Sequence, residues 1–372
     1  KGAAAYLDHN ATSPVLPAVI DAMVDAMREG GNASSVHAFG RAAHRRLEDA
    51  RAAVASRAGC KPAEVIFTSG GTEANNLALL GLGRRRLLWA ATEHDSIRAV
   101  AESFPGEAAM IPVDHLGLLR LDLLEAELAG GEGALVAVML ANNETGVIHD
   151  IPAIAELVHR HGGHLHVDAV QAFGKIPVHF GMLHADSMTL SAHKIGGPQG
   201  AGALILADHL TLTPRIRGGG QELRRRAGTE NLPGIVGFGR AAELMDIAAF
   251  ERVRELRDRA EEGILAALPD AVIFGRDAPR LPNTICVAVP GASSETQVMA
   301  LDLAGVAVSA GSACSSGKVQ QSHVLAAMGA GALAGSAIRV SLGRDTGEAE
   351  IDLFLDAYVA FHARRRRKAA AS

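Results

Sequence analysis

Four short stretches hold side chains whose type and spacing can do chemistry. "SAHKIGGPQG" (191–200) puts Lys194 just after an apolar run and just before a glycine-rich turn. A lysine drawn into a cleft there can lose its proton and form a Schiff base, although a surface loop lysine has the same local pattern. Ser191 and His193 beside it are placed to donate hydrogen bonds to a phosphate. "HLHVDAV" (164–170) carries Asp168 near the C-terminal end of an apolar run, where open α/β sheets put their ligand crevice. Such a carboxylate either caps a helix or holds a cationic ring nitrogen. "TSGGTEANN" (68–76) leads a strand through two glycines into a helix at Thr72. Free N–H groups and the positive dipole end make such a start an anion site, unless it is an ordinary strand–helix turn. "SAGSACSSG" (309–317) sets Cys314 among serines, glycines and alanines. A residue that usually packs as a small buried hydrophobe is out of place there.

No single stretch decides the chemistry. In order, however, they give a phosphate turn, a carboxylate on a strand and a lysine on a strand end, which is the set pyridoxal phosphate (PLP) requires. Two competing motifs are weaker. "SGKV" (316–319) lacks a P-loop's first glycine, because Ser312 stands there, and the Ser or Thr after the lysine, because Val319 stands there. That excludes a P-loop nucleotide hydrolase. His164, His166 and Asp168 alternate and so share one strand face, as zinc ligands could. They resemble part of a His-x-His-x-Asp-His metallohydrolase motif, but Ala169 occupies the last histidine position. A zinc hydrolase is therefore kept as an alternative, and no metal is expected.

The elements that must position these groups alternate. Helices are predicted over 41–59, 72–83 and 151–162, and strands over 64–71, 134–140, 164–170, 187–193 and 202–207. Alternation of this kind predicts an α/β fold, a mostly parallel central sheet flanked by helices on both faces. After about residue 245 the pattern changes to a long charged helix (250–268), shorter strands at 285–290 and 337–343, and a final helix from Glu348. Two domains are expected: a large one over 13–249, and a smaller α+β one from 1–12 and 250–372, joined by a crossing segment at "HNATSP".

Bulk composition narrows the classes. The chain has 372 residues, 48% hydrophobic but only 3% aromatic, so its core must be mostly Ala, Val, Leu and Ile. A formal charge of -5 argues against a global nucleic-acid or membrane binder. The basic "RRRRK" (364–368) is read as a solvated tail, with an acidic partner as the other reading. Cys60, Cys286 and Cys314 are odd in number and far apart, with no CxxC, so a disulfide framework or structural zinc is not expected. Cys286 reads as core. No signal peptide or membrane span is read, and a cytoplasmic location is expected.

Ten ordered motifs carry a resemblance that runs nearly end to end. They are "YLDHNATSP", "GNASSVH", "FTSGGTEANN", "ATEHDSI", "ANNETGV", "HVDAVQAFGKIP", "SAHKIGGPQGAGAL", "GGGQELRRRAGTEN", "SAGSACSSG" and "AIRVSLGR". The chain resembles the class V aminotransferase family of fold-type I PLP enzymes, and within it the cysteine desulfurases of the NifS/IscS kind. The resemblance implies that Lys194 attaches PLP covalently, Asp168 pairs with the pyridine nitrogen, and His94 stacks on the ring and moves protons. It implies that Asn143 and Gln171 face the phenolic oxygen, and that Gly71, Thr72, Ser191 and His193 hold the phosphate. Thr229 would reach the phosphate of the other subunit of a homodimer. Arg339 would clamp the substrate carboxylate, with Asn10 and Asn143 near the substrate. Cys314 would take sulfur from L-cysteine as a persulfide, leave L-alanine, and pass the sulfur to an acceptor protein such as an iron–sulfur scaffold.

Departures from the family pattern are small: Thr12-Ser13 where Thr-Thr is common, and Gln199 where many members have Lys. The Ser- and Gly-rich stretch around Cys314 resembles the longer catalytic loop of group I desulfurases. A selenocysteine lyase or another class V enzyme is the alternative within the fold. A transaminase has no use for a cysteine at this point.

Overall fold

The structure, a computed structural model, describes residues 4–311 and 321–370. After a short first strand, β1 (Ala5–Tyr6), seven strands build one sheet. They are β2 (Val65–Thr68), β3 (Arg86–Ala90), β4 (Glu107–Ile111), β5 (Leu135–Met139), β6 (His164–Asp168), β7 (Ser187–Ser191) and β8 (Gly202–Leu206), in the spatial order β2-β8-β7-β6-β5-β3-β4. The β3–β7 pairings are parallel, whereas β8 runs antiparallel to both its neighbours. The physical reason is the short link from Ser191 to Gly202, below the roughly dozen residues a parallel crossover takes. Strands buried on both faces read as continuous apolar runs, and β5, "LVAVM", is buried at every position.

Alternate residues of these strands feed two faces. Val136 and Val138 pack with Leu47, Val54, Ile154, Val158 and Phe238, from the helices Ala38–Ala58, Ile151–Arg160 and Leu232–Glu243. Leu135 and Ala137 pack on the other face with Leu79, Ile97 and Val100, from the helices Gly71–Gly81 and Asp95–Glu102. The boundaries have local causes. Gly59 takes the left-handed conformation (φ 66°) that ends Ala38–Ala58. Asp150 accepts from the Ala153 N–H at the start of Ile151–Arg160.

The remaining strands are β9 (Val272–Ile273), β10 (Thr284–Ala288), β11 (Val306–Ala307), β12 (Ser309–Ala310) and β13 (Ala337–Ser341). β12-β13-β10-β9 form an antiparallel sheet, and β1 pairs in parallel with β11. The helices Ala249–Ala267 and Glu348–Ala370 join them in a second core that takes in Leu7, Val253, Ile285, Val340, Phe354 and Tyr358. Between the two cores runs the segment predicted to cross. His9 N–H donates to the Ser341 carbonyl (3.1 Å), and Ser13 N–H to that of His193 (2.9 Å).

Two expectations change. The strand read over 187–193 stops at Ser191, and Ala192–Lys194 is a single 3₁₀ turn, closed by the Ile195 N–H donating to Ala192 (3.1 Å). The basic stretch at 364–367 is not a free tail: it lies in the helix Glu348–Ala370, and Arg366 pairs with Asp270 at 2.7 Å. Among the described residues no helix is long and apolar enough to cross a membrane.

Candidate active site

β2, β3, β5, β6 and β7 point the same way, so the segments that leave their C-terminal ends meet at one rim of the sheet. They enclose a cavity of about 280 Å³. Gly71, Thr72, Ser191 and His193 line one part of it, His94, Asn143, Asp168 and Gln171 another, and Lys194, Arg339 and Asn10 complete it. Residues scattered over 330 positions thus converge as expected, with two exceptions. Thr229 lines a separate cavity of about 180 Å³ with Thr68, Ser69 and Arg226. Cys314 lies outside the described residues.

At the anion end, Gly70 adopts φ 155°, ψ −179°, a region open essentially to glycine. It caps the helix Gly71–Gly81 with no side-chain hydrogen bond, so the first N–H groups there have no capping side chain. Gly202 must also be glycine, because a Cβ on it would lie 2.7 Å from the Gly70 backbone. The His193 Nδ1 faces the Thr12 hydroxyl at 3.2 Å. Burial, and then Lys194 and Lys175, push this imidazole down to about 4, so it is neutral at pH 7 and offers a neutral N–H.

At the opposite end, Asp168 is buried and accepts from Asn75 Nδ2 (2.8 Å) and the Val170 N–H (3.0 Å). Among the described residues it has no cationic partner. Asn75 also donates to Ser96 Oγ (2.8 Å), and its Oδ1 lies 3.0 Å from His166 Nε2. The other His166 nitrogen meets Ser187 Oγ at 2.8 Å, and burial alone lowers this ring to about 3. His166 is a neutral buried buttress. This overturns the zinc alternative: His166 turns to Asn75 and Ser187, while His164 lies against Arg84 (2.7 Å) and Asp186 (3.6 Å). Among the described residues no group of three or more His, Cys, Asp or Glu side chains is arranged to hold a metal ion.

Lys194 Nζ donates to the carbonyls of Asn10 and Ala11, both at 2.7 Å. His94 caps the helix Asp95–Glu102, with Nδ1 accepting from the Ser96 N–H (3.1 Å). In its neutral form the ring would therefore carry its proton on Nε2. Arg339, buried on β13, donates to Asp8 Oδ1 (2.8 Å) and the Asn143 carbonyl (3.3 Å). Its Nε has no hydrogen-bond partner among the described residues. Asn10 meets the site through its backbone. Its side chain turns to Asn283, Thr284, Lys175 and the Asn143 carbonyl.

Sequence reasoning missed Asn75, Asp8 and Lys175. All three sit inside quoted motifs, but nothing in a sequence marks a polar residue as buried. Of the two described cysteines, Cys286 is fully buried and raised by that burial, and Cys60 is pushed up to about 12, mainly by burial. Neither is a ready nucleophile.

A carboxylate, a lysine and an uncapped helix start around one crevice of an α/β sheet define a cofactor-binding α/β enzyme. The sequence narrows this further, since residues 5–354 match the model of the class-V aminotransferase family. The chain belongs to that family. It is 45% identical over 363 residues to the cysteine desulfurase of Cereibacter sphaeroides, covering 94% of each chain. It is 40% identical over 387 residues to the IscS-like cysteine desulfurase of Mycobacterium tuberculosis, covering 99% and 98%. Among solved structures, a NifS-like protein from Rickettsia africae superposes with a TM-score of 0.90 at 35% identity, over 97% of this chain and all of that one.

Proposed function

We propose that this protein is a PLP-dependent cysteine desulfurase that converts L-cysteine to L-alanine and carries the sulfur on Cys314. The observation that carries the reading is the shared cavity of Lys194, Asp168 and the Gly70–Thr72 helix start. The full-length likeness to cysteine desulfurases supports it.

The cavity fits PLP by its chemistry. Asp168 is a buried carboxylate with no cationic partner among the described residues, suited to a protonated pyridine nitrogen. The uncapped helix start with Ser191 and neutral His193 suits a phosphate. Bound there, PLP would supply an electron sink for the substrate's Cα. Lys194 would attach it covalently, with Asn143 and Gln171 near its phenolic oxygen.

The chain's own groups would do the rest. Arg339, oriented by Asp8, would bind the substrate carboxylate through its fork of donors. Lys194 Nζ would take the substrate's Cα proton, and His94 Nε2 would exchange protons with the substrate. The Cys314 thiolate would attack the substrate sulfur. A sulfur–sulfur bond forms, the carbon–sulfur bond breaks, and the protonated carbon skeleton leaves as L-alanine. The persulfide sulfur would then pass to an acceptor protein such as an iron–sulfur scaffold. A homodimer would let Thr229 of each protomer serve the other's phosphate site. The two-domain division near residue 250 is supported by the second core, which draws on Leu7 and on 250–358.

The test is turnover of L-cysteine with a thiol reductant. Alanine and sulfide should appear in equal amounts, and Cys314→Ser should abolish both while the cofactor's visible band persists. Undiminished sulfide release by that variant would remove Cys314 from the reaction.

A further inference from the structure

Lys175 is a buried titratable group that this mechanism leaves without a task. It is only 3% exposed, in the "QAFGKIP" stretch after β6, and no carboxylate pairs with it among the described residues. Its Nζ donates to Gln171 Oε1 at 2.6 Å and to Asn10 Oδ1 at 2.9 Å. The backbone carbonyl of Asn10 can only accept, so the Gln171 atom that faces it is Nε2 and the atom that faces Lys175 is the amide oxygen, which a charged lysine, having donors only, requires as well. Nε2 donates to the Asn10 carbonyl at 2.9 Å, the same carbonyl that accepts from Lys194 Nζ.

We propose that Lys175 is a positioning residue that locks the Gln171 amide with its N–H₂ toward Lys194 and the cofactor's phenolic oxygen. This rests on the PLP reading of the cavity. One Nε2 hydrogen is spent on Asn10, and the second remains to be aimed. Without Lys175 only the Asn10 carbonyl opposes a 180° rotation of the amide, which would present its oxygen, a repulsive neighbour for a phenolate. Asn10 is tied in by the same amine, and its other side-chain bonds run to Asn283 (3.1 Å), Thr284 (2.9 Å) and the Asn143 carbonyl (3.2 Å). The titratable groups facing Lys175 are Lys194, Arg339, His9 and His193. Burial and the first two of these hold its own proton affinity well below that of a free lysine. It keeps N–H donors whether charged or neutral.

The experiment reads the visible band of PLP-loaded protein as a function of pH, without substrate. Loss of a donor to the phenolic oxygen, or of a nearby positive charge, favours the protonated chromophore. In Lys175→Met the band's midpoint should therefore move up by about one pH unit, a tenfold change in proton affinity. Gln171→Ala should move it the same way, and the double variant should add little to Gln171→Ala alone. Lys175→Gln, which keeps one donor, should fall between wild type and Lys175→Met. A melting temperature lowered with the midpoint unmoved would make Lys175 structural only and overturn the proposal, as would additive shifts. If Lys175→Met fails to fold, Lys175→Gln against Gln171→Ala decides by the same shift. No band in the wild-type protein would instead refute the PLP reading itself.

Discussion

At the scale of the residue, the cavity is built by giving each reactive group a partner that fixes its state. Asp168 accepts from two neutral N–H donors, with no cation paired to it among the described residues, which leaves it open to a cationic group of a ligand. Asn75 is the key support, because one amide group bonds Asp168, Ser96 and His166 together. Asn75→Ala leaves the His166 Nε2 N–H and one carboxylate oxygen with a lost partner, at a cost of about 1–3 kcal/mol for each buried group. Chemical denaturation should show that loss, and PLP should be released more readily at equal ionic strength. Stability and cofactor retention equal to wild type would mean that Asn75 is not the support. Lys194→Ala should remove the covalent attachment and with it both the visible band and turnover. A normal band in that variant would show that another lysine carries the cofactor.

Elements place these residues through contacts that the sequence shows unevenly. The turn after β2 is legible as two glycines before a helical pattern, and Asp168 and Lys194 sit at the ends of apolar runs. All three site groups were legible because period and breaker residues mark strand ends locally. The direction of β8 was not, because pairing sense depends on how a short link can travel, not on strand composition. Nor were Asn75, Lys175 and the neutrality of His166, which arise from burial between elements distant in sequence. One cross-element contact yields a sharp test. Thr68 pairs with Gly202, and the Gly202 Cα faces the Gly70 backbone so closely that one added methyl has no room. Gly202→Ala should displace the anion turn rather than the sheet. Weaker inorganic phosphate and PLP binding, by roughly tenfold or more for a bond or two lost, is expected with far-UV circular dichroism unchanged. Unaltered phosphate affinity would show that the turn does not depend on this approach.

On the scale of the whole molecule, burial decides the response to acid and the exposed surface decides assembly. His166 and His149 are fully buried and lowered to about 3 and about 4, chiefly by burial. Their protons bind the unfolded chain first, near pH 6.5, so folding stability is intact above that value. It falls as pH drops toward the folded values, by about 1.4 kcal/mol per pH unit for each group. Urea midpoints should therefore decline between pH 6.5 and 4, and His166→Asn should flatten part of that slope. An unchanged slope would mean that His166 is not neutral in the fold. The exposed surface bears on the proposed homodimer. Val36 and Phe39 are 88% and 69% exposed, and Leu223 is 72% exposed beside a cavity of about 730 Å³ lined by Ala33, Ser34 and His44. Leu223 also sits in a run of three left-handed residues, Glu222 to Arg224, anchored by the buried Arg51–Glu222 pair. In the proposed homodimer a second copy would cover these large apolar side chains. The cavity that holds Thr229 shares Glu222 and Glu230 with this region, so a second copy seated there would meet the Thr229 segment as well. Sedimentation should give a dimer, and Phe39→Asp combined with Leu223→Asp should yield a folded monomer that binds PLP more weakly than the dimer does. A monomeric wild-type protein with full cofactor affinity would show that each site is complete within one chain.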